Sequence, residues 1–288
     1  AAFIEVAAAS GLVLLEPAER NPLDTSTFGT GQQLLDALSR GKRNIFLLLG
    51  GSVTNDLGLG IAEALGFSFY DANGNAVWPT GGRLSTIQRI DYPDYRPWEG
   101  AEIKLLCDVN NPLLGPRGAA HVYAAQKGAS PADVATLEIG ATQVASLLEQ
   151  RTDLDVSALS GGGAAGGIGA GLSALIGGQL VGGFKTISEL TGLPEKIRAA
   201  DFVITGEGQV DEQSLQGKVV GGVMELCQQY GKYCCVVAGK STLTEVPVVN
   251  GRPVDVLEIM SLTADVATAM TQAESLLQRL ATGIELRD

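Results

Sequence analysis

Apolar and polar positions follow two alternating patterns along the chain. Short apolar runs such as Ile45-Phe-Leu-Leu-Leu49, Ile103-Lys-Leu-Leu-Cys-Asp108, Phe202-Val-Ile204 and Tyr233-Cys-Cys-Val-Val-Ala-Gly239 each lead into a polar or glycine-containing stretch. A strand that is apolar on both faces has no side to show to water, so such runs predict parallel strands covered by helices. Val254 to Met260 adds another strand. The intervening segments Thr30–Leu38, Gly60–Leu65, Pro131–Arg151, Leu172–Ile176, Lys218–Tyr230 and Asp265–Leu280 read as helices, with Pro131 suited to a first helical turn. Phe67 to Trp78 instead alternates around Asp71-Ala-Asn-Gly-Asn75, which predicts a β-hairpin turning near Asn73-Gly74 and an antiparallel addition to the sheet. The strand-helix rhythm makes the fold α/β.

Three loops at strand ends carry the candidate chemistry. Gly50-Gly-Ser-Val-Thr-Asn-Asp56 follows the Ile45 strand and offers backbone N–H groups and hydroxyls to an anion, with Asp56 as a hard carboxylate for Mg²⁺. The run from Ser160 to Gly171 lets the backbone approach a ligand closely before a helix. Thr205-Gly-Glu-Gly-Gln-Val-Asp211 reads as a turn closing a short strand and brings Glu207, Asp211 and, further on, Lys218 to its end. Ligands of open α/β sheets sit beyond the carboxyl ends of the strands, so three such loops point to one crevice. There is no G-x-x-x-x-G-K-[ST] phosphate loop. Gly166 to Gly171 has neither the preceding strand nor the following acid of a dinucleotide fingerprint.

Composition removes other classes. The 288 residues carry 20 basic and 32 acidic side chains, a formal charge of −12, and no basic patch interleaved with aromatics, which argues against nucleic acid. The four cysteines, Cys107, Cys227, Cys234 and Cys235, show no metal or disulfide spacing, and the single histidine, His121, lies in a short helical stretch. Zinc and Ser-His-Asp chemistry are therefore disfavoured. With no apolar run of about 20 residues and no charged leader segment, the expectation is a cytoplasmic protein with no membrane partner.

Seven ordered blocks resemble the type I glycerate kinases. They are Glu5-Val-Ala-Ala-Ala-Ser-Gly-Leu12, Arg20 to Gly31, Gly50 to Asp56, Cys107-Asp-Val-Asn-Asn-Pro-Leu-Leu-Gly-Pro116, Gln126-Lys-Gly128, Gly161 to Gly171, and Thr205 to Asp211 with Lys218. The family pattern begins upstream of Ala1, so the resemblance implies that its first strands are missing from this sequence. It further implies two α/β domains, a mixed-sheet one over 1–158 and part of a doubly wound, flavodoxin-like one over 159–288, with the active site in the cleft between them. The implied reaction is ATP-dependent phosphorylation of D-glycerate to 2-phosphoglycerate with Mg²⁺. A hydroxy-acid dehydrogenase or a non-catalytic ligand-binding fragment is the alternative, and a homo-oligomer is allowed. Asp56, Asp211 and Lys218 are the catalytic candidates. Gly50, Gly51, Ser52, Thr54, Asn55, Asp108, Glu207, Gly161, Gly162 and Gly163 are candidates for substrate or phosphate binding. Asp56 or Asp108 would hold the metal or accept the hydroxyl proton, and Lys127 or Lys218 would supply positive charge.

Overall fold

Parallel pairing organises most of the apolar runs. A computed structural model describes residues 1–212, 214–215 and 218–284, and the chain divides into two compact units, Ala1–Val181 and Gly182–Asp288. In chain order the first contains β1 (Ala2–Glu5), α1 (Val6–Ser10), α2 (Phe28–Ser39), β2 (Asn44–Leu48), α3 (Leu59–Ala64), β3 (Ser68–Tyr70), β4 (Arg89–Asp91), β5 (Glu102–Leu106), α4 (Ala119–Tyr123), α5 (Pro131–Glu149), α6 (Ala164–Ile176) and β6 (Gln179–Val181). Its main sheet has the order β1-β2-β5-β6 and every pairing is parallel. Ile45, Leu47 and Leu105 of the two central strands are completely buried, as a sheet covered on both faces requires.

Local rules hold where the signal is local. Helix α5 starts on a capping box in which Ser130 and Asp133 each bond the other's backbone N–H, with Pro131 directly inside. The expected hairpin takes another form. Asp71 Oδ1 accepts from the N–H groups of Asn73 and Asn75, both at 2.8 Å, and closes the turn, but only a single bridge, Tyr70 to Ala76, follows it. Pro79 lacks an N–H and cannot extend the ladder. β3 pairs instead with β4, in an antiparallel ribbon separate from the main sheet. That sheet is parallel rather than mixed.

The second unit contains α7 (Gly183–Thr191), α8 (Leu193–Ala199), β7 (Phe202–Val210), α9 (Val219–Tyr230), β8 (Tyr233–Ser241), β9 (Val248–Val249), β10 (Arg252–Pro253), β11 (Asp255–Glu258), α10 (Val266–Thr271) and α11 (Ala273–Ala281). Its sheet, β11-β8-β7, is again parallel. The closing helix expected from Asp265 to Leu280 is two helices that meet at Gln272. The Thr205–Asp211 segment is mostly strand, not turn. β7 continues through it in register with β8, pairing Glu207 with Ala238 and Val210 with Ser241.

The first unit runs through Val181, so the glycine-rich segment, assigned from sequence to the second part of the chain, packs inside the first. Ala165, Gly166 and Gly167 take left-handed backbone angles and kink α6 at its start. A side chain on Gly166 would lie 2.1 Å from the Thr54 carbonyl oxygen, and one on Gly171 would lie 1.8 Å from that of Leu57. These glycines admit the Thr54–Leu57 loop against the helix rather than a ligand. In an ordinary helix Gly→Ala is stabilising by about 1 kcal/mol. Gly171→Ala is expected to destabilise by about 3 kcal/mol through overpacking, read as a lower midpoint in urea unfolding.

Candidate active site

The loop after β2 is built around one buried carboxylate. Asp56 Oδ2 accepts from the Thr27 N–H at 2.7 Å, the Thr27 hydroxyl at 2.8 Å and the Gly60 N–H at 3.3 Å, and Oδ1 accepts from the Gly58 N–H at 3.1 Å. The Thr27 hydroxyl oxygen accepts in turn from the Ile61 N–H at 3.0 Å. Thr27 caps α2 and Gly58 caps α3, so the carboxylate lies at two helix N-termini. Complete burial pushes the Asp56 pKa up, while the bonds from Thr27, Gly58 and Gly60 pull it down. Glu63 is pushed up to about 7, first by burial and then by the charge of Asp56. Leu57 and Ala165 both sit in the left-handed region, at φ 55° and 53°, and the Leu57 N–H donates to the Gly166 carbonyl at 3.1 Å. Non-glycine residues in that region each cost about 1–3 kcal/mol, strain that the surrounding packing sustains.

Beside this scaffold the first unit has an open-sided cavity of about 470 Å³. Its walls are Leu49 to Ser52, the end of β5 from Leu106 to Val109, Tyr123, Gln126, Lys127, Ala164, Ala165 and Leu12. Backbone bonds from Leu12 N–H to the Gly51 carbonyl (2.8 Å) and from Val53 N–H to the Ser10 carbonyl (2.9 Å) clamp the glycine loop. The N–H groups of Gly50, Gly51 and Ser52 have no acceptor among the described residues. Lys127, only 2% exposed, donates from Nζ to Ser52 Oγ at 3.0 Å and to the Thr54 carbonyl at 2.7 Å. Burial pulls its ammonium down to about 7, against the opposing pull of Asp56. The Tyr123 hydroxyl donates to Asn111 Oδ1 at 2.6 Å, and the Cys107 thiol to the Val109 carbonyl at 3.2 Å; burial pushes both groups up.

The sequence candidates separate accordingly. Gly50, Gly51, Ser52 and Asp108 line the cavity. Thr54 and Asn55 are fully buried and do not line it; the Thr54 hydroxyl and both amide atoms of Asn55 have no hydrogen-bond partner among the described residues. Asp56 also does not line it. Its oxygens accept from four donors, three on Oδ2 and one on Oδ1, so it organises the loop. Gly161, Gly162 and Gly163 pack on protein, against Val109, Leu159 and Pro112, and only Ala164 and Ala165 of that segment reach the cavity. Glu207, Asp211 and Lys218 belong to the second unit. Glu207 borders an apolar groove of about 980 Å³ walled by residues such as Ile204, Val237, Met260 and Met270. Its place in a strand overturns the expected turn with Asp211. Asp211 Oδ1 accepts from the Ser214 N–H at 3.0 Å just past β7, and Lys218 stands at the N-cap of α9. Tyr123 is absent from the sequence candidates, and Lys127 stands among them as the alternative to Lys218 for positive charge. The available signal was a lysine between Gln126 and Gly128 in a stretch otherwise rich in alanine. Among the described residues no three His, Cys, Asp or Glu side chains cluster as a metal site, and no helix is long and apolar enough to cross a membrane.

Comparison with known proteins gives a consistent answer. A model of the glycerate kinase family matches residues 1–286. The chain is 43% identical over 239 residues to a glycerate kinase of Halalkalibacterium halodurans, covering 83% of this chain and 63% of that protein. It is 42% identical over 255 residues to glycerate 2-kinase of Escherichia coli K12, covering 88% and 67%. A crystal structure assigned as glycerate kinase 2 from Salmonella typhimurium LT2 superposes with a TM-score of 0.75 at 36% identity, covering 97% of this chain and 75% of that one. The chain thus spans about two thirds of the length of these curated relatives.

Asp56→Ala would leave four buried donors without an acceptor. At about 1–3 kcal/mol for each unsatisfied group, partly relieved by relaxation, the expected loss is at least about 3 kcal/mol, measured by urea unfolding. Lys127 gives stability a definite pH slope. Its folded pKa lies below that of a free lysine, so its contribution is complete above the ordinary value of 10.5 and is lost as pH falls through about 7. Lys127→Met should remove that slope when unfolding is followed from pH 7 to 10.

Proposed function

Because the chain belongs to the glycerate kinase family, we propose that it phosphorylates D-glycerate to 2-phosphoglycerate with ATP as donor. The observation that carries this reading is a buried lysine held on the glycine loop at the cavity wall, Lys127 beside Gly50 to Ser52. Phosphoryl transfer asks little covalent chemistry of the protein. It needs reactants held in line and positive charge fixed in advance, and both are cheapest on a clamped loop. Lys127 is such a charge, desolvated and restrained by two hydrogen bonds, so it need not reorganise when an anion arrives.

The donor set fits Mg²⁺ carried in by the nucleotide rather than caged by the protein. Mg²⁺ keeps phosphate oxygens and waters as most of its shell and takes one or two carboxylates, and Asp108 is the carboxylate on the cavity wall. When bound, the ion supplies charge neutralisation to the phosphates. Asp211 and Lys218 keep the active-site roles implied by the resemblance. Their positions, beyond the carboxyl end of β7 and at the N-terminus of the 12-residue α9, are where α/β enzymes receive anionic ligands. Four free thiols suit a cytoplasmic setting.

The test is turnover of the full chain with D-glycerate, ATP and Mg²⁺, followed by ADP release and identification of the product. Formation of 2-phosphoglycerate is the expected result. Lys127→Met and Asp108→Asn should each lower kcat/KM by about 10²–10³, as loss of one preorganised electrostatic contact does. Reduction of a nicotinamide by the same hydroxy acid would support the dehydrogenase instead, and binding without turnover a non-catalytic fragment.

A further inference from the structure

We propose that Asn111 is a positioning residue of the first-unit cavity, standing outside its lining and tying three of its walls together through the Tyr123 hydroxyl and the Gly163 N–H. Its effect on rate rests on the kinase reading above.

The three walls come from separate stretches of chain. They are the end of β5 from Leu106 to Val109, then Tyr123, Gln126 and Lys127 at and beyond the end of α4, and Ala164 with Ala165 at the start of α6. Asn111 follows the first wall by two residues and bonds to the other two. Its Oδ1 accepts from the Tyr123 hydroxyl at 2.6 Å, and its main-chain carbonyl accepts from the Gly163 N–H at 3.0 Å, immediately before Ala164. Its Nδ2 donates to the Arg117 carbonyl at 2.8 Å, in the turn that leads into α4. The orientation of the amide follows from its partners. A carbonyl can only accept, so Nδ2 must face Arg117, Oδ1 must face Tyr123, and the phenol must be the donor. Burial pushes the Tyr123 phenol up, so it keeps that proton through the neutral range.

The tie reaches the charged groups of the cavity. Lys127 lies four residues beyond Tyr123, with its N–H on the Ala124 carbonyl at 3.0 Å, and its ammonium holds Ser52 and the Thr54 carbonyl. Asp108 lies three residues before Asn111. Gly163 cannot give way independently, because a side chain there would lie 2.3 Å from the Pro112 carbonyl oxygen and backbone already packs on backbone. Rate falls steeply when groups that hold reactants in line are displaced, and about 1 Å can cost about 10²-fold. A residue that fixes the walls relative to one another therefore acts on turnover without meeting a ligand.

The experiment is steady-state kinetics of the full chain with D-glycerate, ATP and Mg²⁺, beside urea unfolding and amide hydrogen exchange read by mass spectrometry. The variants are Tyr123→Phe, Asn111→Ala, Asn111→Asp and the two combinations with Tyr123→Phe. Tyr123→Phe should lower kcat about 10-fold and Asn111→Ala about 10²-fold, at a temperature where each is folded. Tyr123→Phe should cost nothing further in Asn111→Ala, which has lost the acceptor, and about 10-fold again in Asn111→Asp, which still offers one. Exchange should quicken together over 107–112, 119–127 and 161–165 and stay unchanged in the second unit. A lowered urea midpoint with kcat of the folded protein intact would mean a structural role alone and overturns the inference. Losses that multiply in Tyr123→Phe/Asn111→Ala also overturn it, since Tyr123 would then act on the ligand by itself. Absence of turnover in wild type sinks the kinase reading, and the exchange pattern then decides separately. Quickening shared by the three walls keeps the tie, and quickening confined to one of them removes it.

Discussion

A carboxylate without solvent contact governs the first unit. Burying Asp56 alone would be prohibitive, and the four donors that meet it come from the ends of two helices and the turn between loop and helix. Satisfying that one side chain therefore fixes the start of α2, the start of α3 and the path of the chain between β2 and α3. The glycine loop takes its conformation from this arrangement, held on its other edge by Leu12 and Ser10. Lys127 is then placed by the loop, since both its acceptors belong to it. Lys127 is thus two contacts removed from Asp56, with no ion pair between them among the described residues.

This hierarchy explains why the two charges differ in character. Asp56 accepts from four donors of its own scaffold and contributes organisation. Lys127 retains a donor and borders a cavity, so its charge is available to a ligand while burial lowers its hold on the proton. A surface lysine would keep its proton but spend binding energy on ordering its stem; this one is already ordered.

Much of the architecture was legible in the sequence because its signals are local. The Ile45 strand, the α5 start at Ser130-Pro131 and the loop Gly50–Asp56 follow from residues within a few positions of one another. What was not legible depended on distant partners. That Asp56 is bonded by Thr27, 29 positions away, is invisible in its own loop. The glycines of Gly161–Gly171 suggest a ligand-binding backbone, and only the position of Thr54 and Leu57 shows that their neighbour is protein. The Thr205–Val210 segment carries two glycines and reads as a turn, yet its pairing with β8 keeps it a strand. The polar end of the Asn73-Gly74 turn was visible, but not that β3 would choose Arg89–Asp91 as its partner.

The contact between the Thr54–Leu57 loop and α6 has a consequence for how such sites can change. Gly166 and Gly171 allow backbone to touch backbone more than 100 residues apart in sequence, leaving no side chain between them to adjust. A change of length or direction in either segment must be matched in the other at once. Loop and helix therefore form a single heritable module. A chimera that takes the loop from one relative and the helix from another would assemble two surfaces shaped for different mates, whereas exchanging both together would carry the fit intact.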